Sequence, residues 1–183
     1  MMMRKVRNKT SNLIAFTLCF GMVQNVAHAA TLNLCWTGGG GYTMTGRMVL
    51  PDAALGKALV RETDVTAFKI TGYHEGTRLG SWNMDALTDA TSWVLHFHPE
   101  SLSFPMPTDL GLPMTQLWNA NGNVDDCGVP GFGFNAGNFA QDVCVDGVYI
   151  EPSSIDPDTR LFATYDPVTP DCANAAALSK SRR

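Results

Sequence analysis

Alternation with a period of two residues, broken at short intervals by Gly and Pro, is the strongest constraint this chain places on its own fold. From Tyr42 to Leu50 it reads Tyr-Thr-Met-Thr-Gly-Arg-Met-Val-Leu, which puts Tyr42, Met44, Met48 and Leu50 on one face. Side chains of an extended strand point alternately to its two sides, so this is the pattern of a strand with one buried face. Thr91 to His98 repeats it, with Trp93, Leu95 and Phe97 on one side and Ser92, Val94, His96 and His98 on the other. Leu32, Leu34 and Trp36 mark a strand before Gly38–Gly41. Further strands are read at Asp64–Tyr73, Thr77–Met84, Leu102–Met106, Met114–Trp118, Gln141–Ile150 and Leu161–Tyr165. Prolines 51, 99, 105, 107, 152, 157 and 167 punctuate them.

Helical periodicity is scarce. Ala53–Val60 fits either two helical turns or a hairpin connection. With no strand–helix rhythm, a parallel sheet is disfavoured. Many short strands separated by turn residues indicate an all-β fold, an antiparallel β-sandwich of jelly-roll-like or immunoglobulin-like kind. At most one short helix and two disulfides are expected with it.

The N-terminus reads as an export signal. Arg4, Lys5, Arg7 and Lys9 make a basic start, Leu13–Val23 an apolar core, and Ala27-His28-Ala29 a cleavage site after Ala29. The apolar run is shorter than the roughly 20 residues that span a bilayer, so no membrane span is expected in the mature chain. The reading is therefore a signal peptide over 1–29, a β-sandwich domain over 30–172 and a flexible tail over 173–183, in the periplasm or outside the cell. Loss of the signal removes four basic residues and no acidic one, leaving a body more acidic than the whole chain's net charge of −4. Such a surface repels phosphate backbones, which argues against nucleic acid as a partner. Cys35, Cys127, Cys144 and Cys172 stay with the mature chain. In an oxidising compartment they are expected to pair, Cys127 with Cys144 and Cys35 with Cys172. A four-thiolate zinc site is disfavoured because no Cys-x-x-Cys occurs.

Between Cys127 and Cys144, glycines interleave with Phe132, Phe134 and Phe139. Gly and Pro disfavour a helix there, and the expectation is a segment without regular secondary structure, held by its disulfide. The three rings either fold inward as a lid or form a stacking platform for an unknown carbohydrate or protein ligand.

The stretch Tyr42–Met48, after a signal peptide and before Asp and Gly turns, resembles the first strand of small exported bacterial proteins of the PEP-CTERM-sorted kind. The resemblance extends from Tyr42 to about Phe104. It implies an exported all-β protein of unassigned role. The terminal Pro-Glu-Pro, apolar helix and basic cluster of those proteins' sorting signal do not occur here, so their membrane-processing route is not implied.

Residues able to carry chemistry are few. His96 and His98 share a strand face, and with His74 they would suit a zinc ion with an open position. On the apolar-in alternation, however, both face outward as solvated histidines. Asn119, Asn121, Asn123 and Asp125 alternate oxygen donors as a calcium loop does, but the glycine comes early and no Glu closes it, so an ordinary turn competes. Asp142 and Asp146 flank Cys144 on one strand face. Gly38–Gly41 lacks the Gly-Lys-Ser/Thr ending of a phosphate loop. No Gly-x-Ser-x-Gly is present. A carboxylate pair such as Glu75 and Glu100 has no defined separation. The reading is an exported, non-catalytic binding or surface-associated module that requires no cofactor, calcium being the one its Asn-rich loop would take. A metal-assisted hydrolase using His74, His96 and His98 is the first alternative. A structural envelope protein assembling through strand edges is the second.

Overall fold

A computed structural model of the chain describes residues 28–173. Residues 1–27 of the expected signal peptide and residues 174–183 of the expected tail lie outside the described residues. In chain order the elements are β1 (Ala29–Thr37), β2 (Tyr42–Pro51), α1 (Asp52–Leu55), β3 (Val60–Arg61), β4 (Ala67–His74), β5 (Thr77–Asn83), β6 (Trp93–Val94) and β7 (His96–Phe97). There follow β8 (Ser103–Phe104), α2 (Pro107–Leu110), β9 (Met114–Trp118), β10 (Phe132–Gly137), β11 (Gln141–Val145), β12 (Val148–Tyr149) and β13 (Leu161–Thr164).

These strands form two main antiparallel sheets. The first has the order β5-β4-β2-β1-β13-β8 and the second β12-β11-β10-β9-β6, with β3 and β7 as a separate small ribbon. Alternation decides what lies between the sheets. Leu32, Leu34, Trp36, Met44, Met48, Leu50, Phe68, Ile70 and Trp82 point in from the first sheet and are buried. Trp118, Phe132, Phe134, Ala136 and Val143 meet them from the second. Each fully buried side chain of this size is worth about 1.5–3 kcal/mol of transfer free energy. Their rings interlock across the interface: Phe68 lies edge-on to Trp118 at 4.8 Å, and Trp36 edge-on to Phe134 at 5.3 Å. Trp36 Nε1 also donates across the layers to Gln141 Oε1 at 3.0 Å, so the indole is buried without an orphaned donor.

The two disulfides join Cys35 to Cys172 and Cys127 to Cys144, as expected. Among the described residues two single-turn α-helices occur where at most one short helix was expected. Asp52 supplies the acidic first turn of α1. In α2, Pro107 opens the turn, the Asp109 carboxylate accepts from the Met106 amide at 2.8 Å, and Gly111 at φ 64° stops it.

Two sequence readings need correction. Phe132–Gly137, read as irregular, is the central strand of the second sheet, paired on both sides. Glycine here is a packing requirement. A Cβ on Gly133 would lie 2.1 Å from the Asn119 carbonyl oxygen, because the loop between β9 and β10 crosses that face of the strand. Thr91–His98 is not one strand either. β6 pairs with β9 in the second sheet, whereas β7 pairs with β3. The chain changes sheet at Leu95, so Leu95, His96 and Phe97 are all buried and the simple in-and-out rule fails. His96 therefore faces inward, contrary to its alternating position.

Candidate functional site

The outer face of the second sheet carries an unusual polar centre. Asn135 on β10 and Asp142 on β11 are direct cross-strand partners. They point away from the core, since their neighbours Phe134 and Val143 point into it. Yet both are 5% exposed. Residues 119–131 fold back over this face, fastened by Cys127–Cys144, and make a small core of Ala120, Val124, Cys127 and Cys144 beside the pair. Val124 is held there at φ 59°, a strained conformation for a β-branched residue.

Between this flap and the β10–β11 turn lies an open cleft. Its two lobes hold about 220 and 480 Å³ and share Gly122, Asn123, Phe139, Ala140 and Asp142 in their walls. Asn135 and Met114 line the smaller lobe, Tyr149 and Glu151 the larger. Phe139 at the turn is 92% exposed. Asn135 Nδ2 donates to Asp142 Oδ1 at 3.3 Å. Asn135 Oδ1 is buried without a partner. Such an atom loses its hydration and gains nothing in return, a cost of about 1–3 kcal/mol. Burial pushes the Asp142 carboxyl above its ordinary range, and the Asn135 hydrogen bond offsets only part of that. A shifted carboxyl beside an unsatisfied buried carbonyl, on two residues that line a cleft also lined by the exposed Phe139, marks the candidate binding site.

The sequence-derived candidates are placed as follows. Phe132 and Phe134 are fully buried in the sandwich and cannot stack on a ligand; Phe139 can. Phe132 and Phe134 belong to the central strand β10 and not to a lid over one end of the sandwich. Asn119 is buried, its amide donating to the carbonyls of Cys127 and Phe132 at 2.9 and 3.0 Å, so it anchors the flap. Asn121 Oδ1 accepts from the Asn123 amide at 2.8 Å, and its Nδ2 donates to Asp125 Oδ1 at 3.0 Å, forming a turn closed on itself. Asn123 lines the cleft. Asp146 accepts from the Gly131 amide at 2.9 Å.

The histidines have separate partners. His74 stacks on Tyr42 at 4.3 Å and bonds the Gly40 carbonyl through Nε2. His98 bonds the Ala58 carbonyl through Nδ1. His96 Nδ1 donates to the Thr115 carbonyl at 2.8 Å, and its Nε2 accepts from Arg61 Nη1 at 2.8 Å. Both ring nitrogens of His96 are thereby hydrogen-bonded within the protein. Among the described residues, no group of three His, Cys, Asp or Glu side chains is placed to hold a metal ion. Also among them, no helix is long and apolar enough to cross a membrane.

Asn135 and Tyr149 were not singled out from sequence. The signal for Asn135 was its place in Phe-Gly-Phe-Asn-Ala-Gly, where period two puts it on the face opposite the phenylalanines. No family model, curated protein or solved structure matches the chain.

Proposed function

We propose that the protein is an exported, non-catalytic binding module that takes a neutral glycan in the cleft beside Phe139. The observation that carries this reading is the unpartnered, buried Asn135 carbonyl under an exposed ring. A sugar presents hydroxyls that donate to such an acceptor and an apolar C–H face that stacks on an aromatic ring. Asp142 and Asn123 add polar groups around the same floor, and Tyr149 extends the larger lobe. Two disulfides and an acidic chain with a leader-like start support export.

Calorimetric titration with a panel of neutral oligosaccharides tests the proposal. Wild-type protein is expected to bind at least one, with Kd on the order of 0.1–1 mM, given one stacking ring and few hydrogen bonds. Phe139→Ala should weaken binding by about tenfold or more while leaving the melting temperature unchanged, because an exposed side chain contributes within about 0.5 kcal/mol. Asn135→Ala should also abolish binding. Affinity retained in Phe139→Ala, or no binding across the panel, overturns the assignment.

A further inference from the structure

The outer face of the first sheet carries a cationic pair that the fold leaves unneutralised. Antiparallel register sets Arg47 of β2 directly opposite Lys69 of β4. Asn33 and Asn83 continue the same row on the flanking strands. Like charges directly opposite one another destabilise a sheet. The chain has 17 acidic residues against 13 basic ones, so composition did not force this. The ion pair seen among the described residues, Lys57–Asp64, lies elsewhere. Arg47 makes one long hydrogen bond, 3.4 Å, to Thr31 Oγ1. Thr164 continues the row on β13, and Asp166 just past it accepts from the Thr164 hydroxyl, also at 3.4 Å.

The two cations sit in a groove of about 400 Å³, with the hydroxyl-bearing Thr45 and Thr71 in its floor and Pro167 and Val168 on its wall. That wall is built, not incidental. The segment after β13 is drawn across the sheet by Cys35–Cys172, by Asn33 Nδ2 donating to the Asp166 carbonyl at 3.1 Å, and by Thr43 Oγ1 donating to the Pro170 carbonyl at 2.6 Å. Neither partner, Arg47 or Lys69, is used to hold it.

We infer that this groove binds an oxyanion group, held between the Arg47 guanidinium and the Lys69 ammonium with the threonine hydroxyls donating beside them. A guanidinium offers a carboxylate, sulfate or phosphate two parallel N–H donors, and the ammonium adds a point charge. A bound anion would offset the repulsion between Arg47 and Lys69. This site is on the opposite sheet from the glycan cleft and stands whether or not that cleft is occupied.

Amide chemical shifts of the purified protein, followed during titration at constant ionic strength, give the test. Inorganic phosphate, sulfate and a monomeric sugar acid form separate arms, with sodium chloride as control. Saturable shifts confined to Thr45–Arg47 and Lys69–Thr71 are expected, at millimolar Kd or below. Arg47→Gln and Lys69→Gln should each weaken them about tenfold. Tighter binding of the sugar acid would assign the groove to an acidic saccharide, and tighter binding of the inorganic ions to a free anion. At low salt and without ligand, Lys69→Gln should raise the melting temperature, because a repulsion is removed. Absence of saturable shifts in every arm, wild-type affinity retained in both variants, or a Lys69→Gln protein that melts lower would overturn the inference.

Discussion

Asp142 shows how a single side chain reports the cost of a binding site. Its carboxyl is raised by burial beside Asn135. The folded protein therefore holds this proton more tightly than the unfolded chain. Linkage gives the sign: stability falls as pH rises from about pH 4, where a free aspartate ionises, through the raised folded value, and the whole penalty persists above it. Asp142→Asn keeps an acceptor for Asn135 Nδ2 but cannot ionise. Thermal melts of the two proteins across pH are expected to show the variant more stable at neutral pH and the difference vanishing below about pH 4. Equal melting temperatures at neutral pH would mean that Asp142 is solvated and the cleft polar centre is not desolvated. The position of Asp142 beside Cys144 was legible in the sequence. Its burial was not, because the flap that covers it arrives from residues outside the strand.

At the scale of elements, the flap from Asn119 to Gly131 depends on one covalent tie. Cys127–Cys144 closes a sequence separation of 17 residues. On the chain-entropy account such a closure contributes about 3 kcal/mol. Chemical denaturation of a Cys127→Ala, Cys144→Ala double variant should show a loss of that order. The same variant should bind the cleft ligand more weakly, since Gly122, Asn123 and Val124 would no longer be held against β11. A variant that loses stability but keeps full affinity would place the flap outside the site. Period-two reading found most of the strands because each follows its own face. It failed at Leu95–Phe97, where one segment serves two sheets, and at Phe132–Gly137, where glycine looked like irregular structure and is in fact clearance for a neighbouring backbone.

Over the whole molecule, two sheets are held at a fixed distance by large rings set against small residues. Phe132 of β10 lies over Gly72 of β4, where an added Cβ would come within 1.9 Å of the ring. The neighbouring Gly80 of β5 has the Phe132 Cβ only 3.1 Å from where its own would be. Gly72→Ala must therefore push the sheets apart or force the ring off its rotamer. Overpacking of this kind costs about 1–3 kcal/mol, and urea denaturation should show a lower midpoint with an unchanged slope. No loss would mean that the sheets slide freely over one another.

The sequence by itself determined the fold class and the strands that keep one face dry, because period-two alternation acts through local spacing; it left three pairings open to four cysteines, and the tertiary structure joins Cys35 to Cys172 and Cys127 to Cys144. Tertiary structure alone decided the sites. Asn135 beside Asp142, Phe139 above them, and Arg47 opposite Lys69 are matters of strand register and of which loop crosses which face. The β2–β4 register and the burial of the β10–β11 hairpin under the flap depend on contacts between separate segments of the chain, and no local pattern encodes them.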